Sequence, residues 1–173
     1  MNFDSSIVQS RFQSPLGKIT LAATNSGLAG VWFEGQRHLP EGLNATSPWP
    51  VDSAHPVLKR TAQQLSEYFE GSRSDFDVQL DLSGGTAFQQ LVWQALLRIQ
   101  TGSTCSYGSI GQSIGNTAAV RAVGAAVGRN PISIIVPCHR VMGADGSLTG
   151  YAGGLDRKAA LLKLEGVLTE ELF

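Results

Sequence analysis

Ile132-Ser133-Ile134-Ile135-Val136-Pro137-Cys138-His139-Arg140-Val141 is the stretch on which the reading of this chain turns. The apolar run 132–136 predicts a short buried strand, and Pro137, with no N–H to pair, predicts where it stops. Cys138 then stands at a strand end, in a turn fixed by proline, with an imidazole beside it in sequence. Such an arrangement presents one sulfur nucleophile from a rigid element and keeps a base near enough to ionise it. The alternative reading is a small buried hydrophobe, the commonest fate of a lone cysteine. Neighbours on an extended chain point apart, so contact between Cys138 and His139 requires a bridging water or a turn. Cys105 has no comparable setting and reads as structural.

Outward from this stretch, residues 86–173 read as a mostly helical domain. A helix opens at Thr86, with Phe88, Leu91, Val92, Ala95 and Ile99 on one face. Two short helical patterns, 106–114 and 117–127, are separated by Gly115-Asn116, which is the signature of a helix-turn-helix. In the second of them Ala118, Ala119, Ala122, Gly124 and Ala125 leave a smooth surface from which Arg121 projects. Tight packing against neighbouring helices accounts for such a surface. So does docking in the minor groove, which is about 6 Å wide and admits a helix only when its side chains are minimal. A hairpin is predicted around Ala144-Asp145-Gly146, and then a helix from Leu155 to Glu165 stopped by Gly166.

Residues 1–85 read as a small α/β domain. Strands are predicted over 7–13, 18–23 and 28–33, separated by turn sequences at 14–17 and 25–27. Residues 34–54, with Pro40, Pro48 and Pro50, read as a surface loop. A helix follows over 55–70, then a strand over 76–82, with Ser83-Gly84-Gly85 as the linker.

The net charge of −1 by itself argues against a nucleic-acid partner; its distribution argues the other way, although asymmetry of this size also arises by chance. Residues 1–85 hold six Lys/Arg against nine Asp/Glu; residues 86–164 hold seven against two. A basic second half suits phosphate contact. Two cysteines cannot build a disulfide framework or a four-thiolate zinc site, and no run approaches a membrane span or a secretory leader. A reducing cytoplasm is the expected compartment. On the residues alone two rivals stand. One is a helix-turn-helix regulator with an incidental cysteine, which would leave its DNA unchanged; the other is a cysteine hydrolase, which would turn over repeatedly.

Pro137-Cys138-His139-Arg140-Val141, Arg121-Ala122-Val123-Gly124, Gly128-Arg129-Asn130-Pro131 and Tyr151-Ala152-Gly153-Gly154 together resemble the O6-alkylguanine-DNA alkyltransferases, in particular their short bacterial constitutive form. Four motifs in the right order make the resemblance specific, and Ser14-Pro15-Leu16-Gly17 through Val31-Trp32-Phe33 extend it over the first half. It implies a ribonuclease H-like N-terminal domain (1–85) supporting a C-terminal domain (86–173) that binds DNA and accepts the alkyl group. The implied reaction is stoichiometric and irreversible: an alkyl group passes from O6 of guanine, or more weakly O4 of thymine, to Cys138 after the nucleotide flips out.

By the same resemblance His139 reaches the sulfur through water, Glu165 orients His139, and Asn130 ties the helix-turn-helix to the active-site loop. Tyr107 crowds the adjacent phosphate and hydrogen-bonds the flipped base. Arg121 enters the base stack, with Ala119, Ala122, Gly124 and Arg129 as further DNA-contact positions. Val141, Tyr151, Ala152 and Lys158 belong to the guanine pocket. No metal and no cofactor are implied; the partner is duplex DNA, the protein is expected to be a monomer, and cooperative assembly on DNA is left open. Ala152 stands where some relatives carry serine, and Val120 replaces an alanine common on the groove-facing helix. With too few cysteines for the zinc module of the adaptive-response relatives, no transcription-activator role is expected.

Overall fold

The computed structural model describes residues 1–43 and 45–169. The chain divides into two compact units, Met1–Thr86 and Ala87–Phe173.

In the first unit β1 (Val8–Ser14), β2 (Gly17–Thr24) and β3 (Gly27–Phe33) form an antiparallel meander in that order. Its register runs from Ser14 opposite Gly17 to Val8 opposite Ala23, and Ile19 lies opposite Phe33. Every residue of β3 is buried. Helix α1 (Pro56–Phe69) packs on the sheet through Leu58, Leu65 and Tyr68. His55 caps it, its Nδ1 accepting from the Val57 amide at 3.2 Å, and Pro56 suits the first helical position.

The strand expected over 76–82 shrinks to one parallel bridge between Leu28 and Leu80. The Asp77 main chain is already taken by α1: Gln64 Oε1 accepts from the Asp77 amide at 2.9 Å and Arg60 Nε donates to its carbonyl at 2.7 Å. Residues 34–54 are also more than a surface loop. Leu39, Leu43 and Trp49 pack onto Ile7, Ala22, Ala29 and Trp32, and Phe3 meets both Trp32 and Trp49 edge-on. Three aromatic rings thus close a second small core, which the irregular spacing of the loop's apolar residues concealed.

The second unit holds α2 (Ala87–Leu96), β4 (Cys105–Ser106), α3 (Tyr107–Ser113), α4 (Val120–Gly128), β5 (Val141–Met142) and α5 (Leu155–Leu164). Helices α2, α3 and α4 pack on one another. The buried face of α2 is Val92, Trp93, Ala95 and Leu96, whereas Leu91, expected on it, is 56% exposed. Ser106 caps α3, its hydroxyl accepting from the Ser109 amide at 3.1 Å. Gly115 at φ 76° makes the turn between α3 and α4, where L-residues with a Cβ are strained. Helix α4 starts at Val120, later than expected, because the Ala119 amide turns back to the Asn116 carbonyl. No hairpin forms at 144–146. Instead β5 pairs in parallel with β4, Cys105 opposite Val141, and the Gly143 and Gly146 amides close a local turn.

The segment 132–136 is not a strand. Ile134, 1% exposed, has φ 73°, and the Ile135 amide folds back on the Ser133 carbonyl at 2.9 Å in a left-handed γ-turn. Pro137 (φ −83°, ψ 62°) centres a second, inverse γ-turn in which the Cys138 amide donates to the Val136 carbonyl at 2.8 Å. Asn130 fixes both. Its Oδ1 accepts from the Ile132 amide at 2.9 Å and its Nδ2 donates to the Val136 carbonyl at 2.8 Å. A side chain thereby supplies the pairing that a neighbouring strand would have given, and the apolar run is buried as a knot of turns.

Candidate active site

Cys138 opens a 3-10 turn, Cys138–Arg140, packed on α5, and all three of its residues are buried. The thiol is therefore not exposed at a strand end, as expected, but lies in a wall of the second unit with 6% of the residue accessible. Burial pushes its pKa up, while the Asn130 side chain and the Lys158 ammonium pull it down. Cys105 differs on this point. It is half-buried and its thiol is also raised by burial, but no cation opposes the shift. It lines a groove of about 550 Å³ with Arg98, Ser103, Thr104, Ser109 and Ser113, a groove that no expected site residue shares.

Because residues 138–140 form a tight turn, His139 points away from solvent and is 0% exposed. Its Nε2 lies 2.7 Å from Glu165 Oε1. Burial pushes the imidazole pKa down despite that carboxylate. For Glu165, burial alone would raise the pKa, but hydrogen bonds from His139 and Arg140 outweigh it and hold the group at about 2. An ionised Glu165 accepts, so Nε2 carries the imidazole proton and Nδ1 is left as a bare acceptor. That Nδ1 is buried and has no hydrogen-bond partner among the described residues. The hydrogen bond joins the two residues that the resemblance pairs.

Neither the motifs nor the resemblance assigns Arg140 a role, and the structure supplies one. Its guanidinium meets Glu165 bidentately, Nε to Oε2 and Nη2 to Oε1, both at 2.9 Å. Further bonds reach the Ile99 carbonyl at 2.6 Å and Thr101 Oγ1 at 3.1 Å. The carboxylate is clamped on one side so that it can orient the imidazole on the other.

Lys158, on α5, is 0% exposed. Its Nζ donates to the carbonyls of Val141 and Thr149 at 2.6 Å and of Gly150 at 3.2 Å. It gathers both ends of the loop 141–150 beside Cys138, and burial lowers its pKa to about 8. The Val141 backbone, expected to hold guanine, already accepts from this lysine through its carbonyl. Arg140 and Lys158 are therefore consumed internally. The cations left at or near the surface of the basic half are Arg98, Arg121, Arg129, Arg157 and Lys163.

On α4 the buried face is Val123, Ala126 and Val127, and the outer face carries Arg121, Ala122, Ala125 and Arg129. The small residues are consequently not all packing residues, and a smooth surface bearing two guanidinium groups is left outside. Ala118 and Ala119 precede the helix, Ala119 as its cap, with Ala118 exposed and Ala119 partly so. Tyr107 stands between α4 and the loop: a Cβ at Gly124 would lie 3.9 Å from its Cδ1, and one at Gly150 3.9 Å from its hydroxyl. Tyr151 and Ala152 are half-buried at the end of the same loop. Among the described residues no helix is long and apolar enough to cross a membrane, and no three His, Cys, Asp or Glu side chains form a metal-binding group.

A helix-turn-helix beside a buried cysteine with its own histidine, glutamate and arginine defines a DNA-binding protein with a candidate sulfur nucleophile. Residues 7–82 match the 6-O-methylguanine DNA methyltransferase ribonuclease-like domain, and residues 87–167 match the DNA binding domain of the same family. The chain is 50% identical over 152 residues to the methylated-DNA–protein-cysteine methyltransferase of Mycobacterium bovis, with 88% of each chain covered. It is 48% identical over 156 residues to that of Methanosarcina acetivorans, covering 90% of this chain and 96% of the relative. Mycobacterium tuberculosis OGT solved in complex with DNA superimposes with a TM-score of 0.80 at 47% identity, covering 94% and 95% of the two chains. The chain belongs to the 6-O-methylguanine DNA methyltransferase family.

Proposed function

We propose that this protein repairs O6-alkylguanine in duplex DNA by moving the alkyl group to Cys138, once per molecule. The reading rests above all on one observation: a thiol beside a buried ammonium, next in sequence to an imidazole whose Nε2–H is fixed by Glu165. The balance of the reaction follows. His139 Nδ1 takes the thiol proton through an intervening water. The thiolate attacks the alkyl carbon, the carbon–O6 bond breaks, and an S–C bond forms. Negative charge on the departing guanine is quenched by a proton, with the Tyr107 hydroxyl as donor. Lys158 stabilises the thiolate and gathers the carbonyls of Val141, Thr149 and Gly150. Nothing in the site activates water against a thioether, so the alkyl group remains.

Access requires the nucleotide to leave the stack, and Arg121 on the outer face of α4 fills the space it vacates. Ala119, Ala122, Gly124 and Arg129 provide the remaining groove contact, and Val141, Tyr151 and Ala152 frame the base. Residues 1–86 support this unit. O4-alkylthymine is a weaker substrate of the same pocket, and the cytoplasm is the compartment in which the thiol stays reduced. The experiment is incubation with a duplex carrying labelled O6-methylguanine: label enters the protein to a limit of one per chain, whereas a DNA-binding regulator would take up none.

Arg121→Ala is expected to slow repair of duplex DNA by roughly 10- to 100-fold, since extrusion costs a few kcal/mol. Reaction with free O6-benzylguanine, which needs no extrusion, should stay near wild type; equal losses on both substrates would contradict the finger role. Lys158 gives a pH signature. Its ammonium is present below about pH 8 and lost above it. The transfer rate should therefore fall as pH rises through that value, although thiol ionisation alone would make it climb. In Lys158→Met the descending limb should vanish and the rate at neutral pH should be lower. A wild-type rate that climbs steadily to pH 10 would dismiss the countercharge.

A further inference from the structure

Trp93, on α2, is 0% exposed, and its indole Nε1 donates to the carbonyl of Ala126 at 2.9 Å. In a continuing helix that carbonyl would accept from the amide of Asn130. Here the Asn130 amide bonds the Val127 carbonyl at 3.2 Å instead, and α4 tightens and stops, with the Arg129 amide shared between Ala125 and Ala126. The indole thus supplies much of the pairing that the stop withdraws from the Ala126 carbonyl. Where α4 ends, the Asn130 side chain turns into the loop and holds Ile132 and Val136, two residues before Cys138. The chain of bonds runs from α2, through the last turn of the helix that carries Arg121, to the turn that carries the thiol.

We infer that Trp93 is a positioning residue for the repair reaction: its indole N–H fixes where α4 ends, and so sets the register between Arg121 in the groove and Cys138 in the pocket. The inference rests on the function proposed above. Its consequence is selective. A free base reaches Cys138 without using α4, whereas a nucleotide in duplex DNA must be held by Arg121 and the thiol at once. Loss of the indole donor should then injure the second reaction and spare the first.

The test compares wild type, Trp93→Phe, and the protein carrying 3-benzothienylalanine at position 93, which keeps the bicyclic shape but replaces N–H by sulfur. Second-order rates are measured on an O6-methylguanine duplex and on free O6-benzylguanine, with thermal unfolding followed in parallel. Both variants should lose roughly 5- to 30-fold on the duplex, the scale of one buried hydrogen bond. On the free base they should stay within about twofold, since that reaction does not draw on the lost bond. Unchanged rates on both substrates would overturn the inference. So would equal losses on both, which would make Trp93 a core residue and nothing more. A wild-type protein inactive on both substrates would defeat the proposed function itself, so the two failures are separable.

Discussion

Cys138→Ser is expected to take alkyl transfer below detection while leaving affinity for the lesion duplex near wild type. The substitution changes one atom at a site that is 6% exposed, so packing is conserved. What changes is the ease of ionisation. Burial raises the thiol's pKa, but Asn130 and Lys158 act to lower it. A serine hydroxyl lies far above that range and yields a much poorer nucleophile at neutral pH. In the proposed function binding rests on α4 and the loop 141–150, whose backbone the substitution leaves in place. Residual transfer at the wild-type rate would move the acceptor elsewhere, with Cys105 as the other thiol to examine.

Glu165→Gln should fail in two separable ways. An amide can still accept from His139 Nε2, but it can equally turn its NH2 toward the ring, so the tautomer with Nδ1 bare is no longer enforced. A rate loss of roughly 10²- to 10⁴-fold is expected, the range for removing a general base. Stability falls as well, because the Arg140 guanidinium is left buried without its countercharge, a change that typically costs about 3–5 kcal/mol. The pH dependence has a definite sign. The folded-state pKa of about 2 lies below the ordinary 4.5, so the carboxylate's contribution is complete above pH 4.5 and is lost as pH falls toward 2. Wild type should lose stability through that window more steeply than the glutamine variant. Parallel acid unfolding curves would show that the Arg140–Glu165–His139 cluster contributes little.

How much of this was legible in the sequence differs by element. Meander strands, α1 and the helix-turn-helix follow from periodicity and turn residues, and their bounds were displaced by only a few positions. In the segment 132–136 structure departs from sequence expectation because burial of an apolar run is the same signal in a strand and in a knot of turns. Only the side chain of Asn130, bonding residues two and six positions ahead, decides between them. Trp49 and Leu39 escaped notice because their partner, Trp32, is reached across a loop rather than along a period. Within the site, Cys138 and His139 stand out from the sequence itself, whereas Glu165 enters only through the resemblance, since nothing in spacing links residue 139 to residue 165. Arg140 and Lys158 add to the positive charge of the second half in sequence, whereas the fold spends them on Glu165 and on loop carbonyls. Net charge along a chain does not record which charges are turned inward.

The most direct measurement is the intact mass of the protein after exposure to a duplex containing O6-methylguanine, followed by mapping of the modified peptide. The account predicts a mass gain of one methylene unit per chain, located on Cys138, with unmodified guanine appearing in the DNA in equal amount and no further gain with excess substrate. An unchanged protein mass, or a modification placed on any residue other than Cys138, would contradict it.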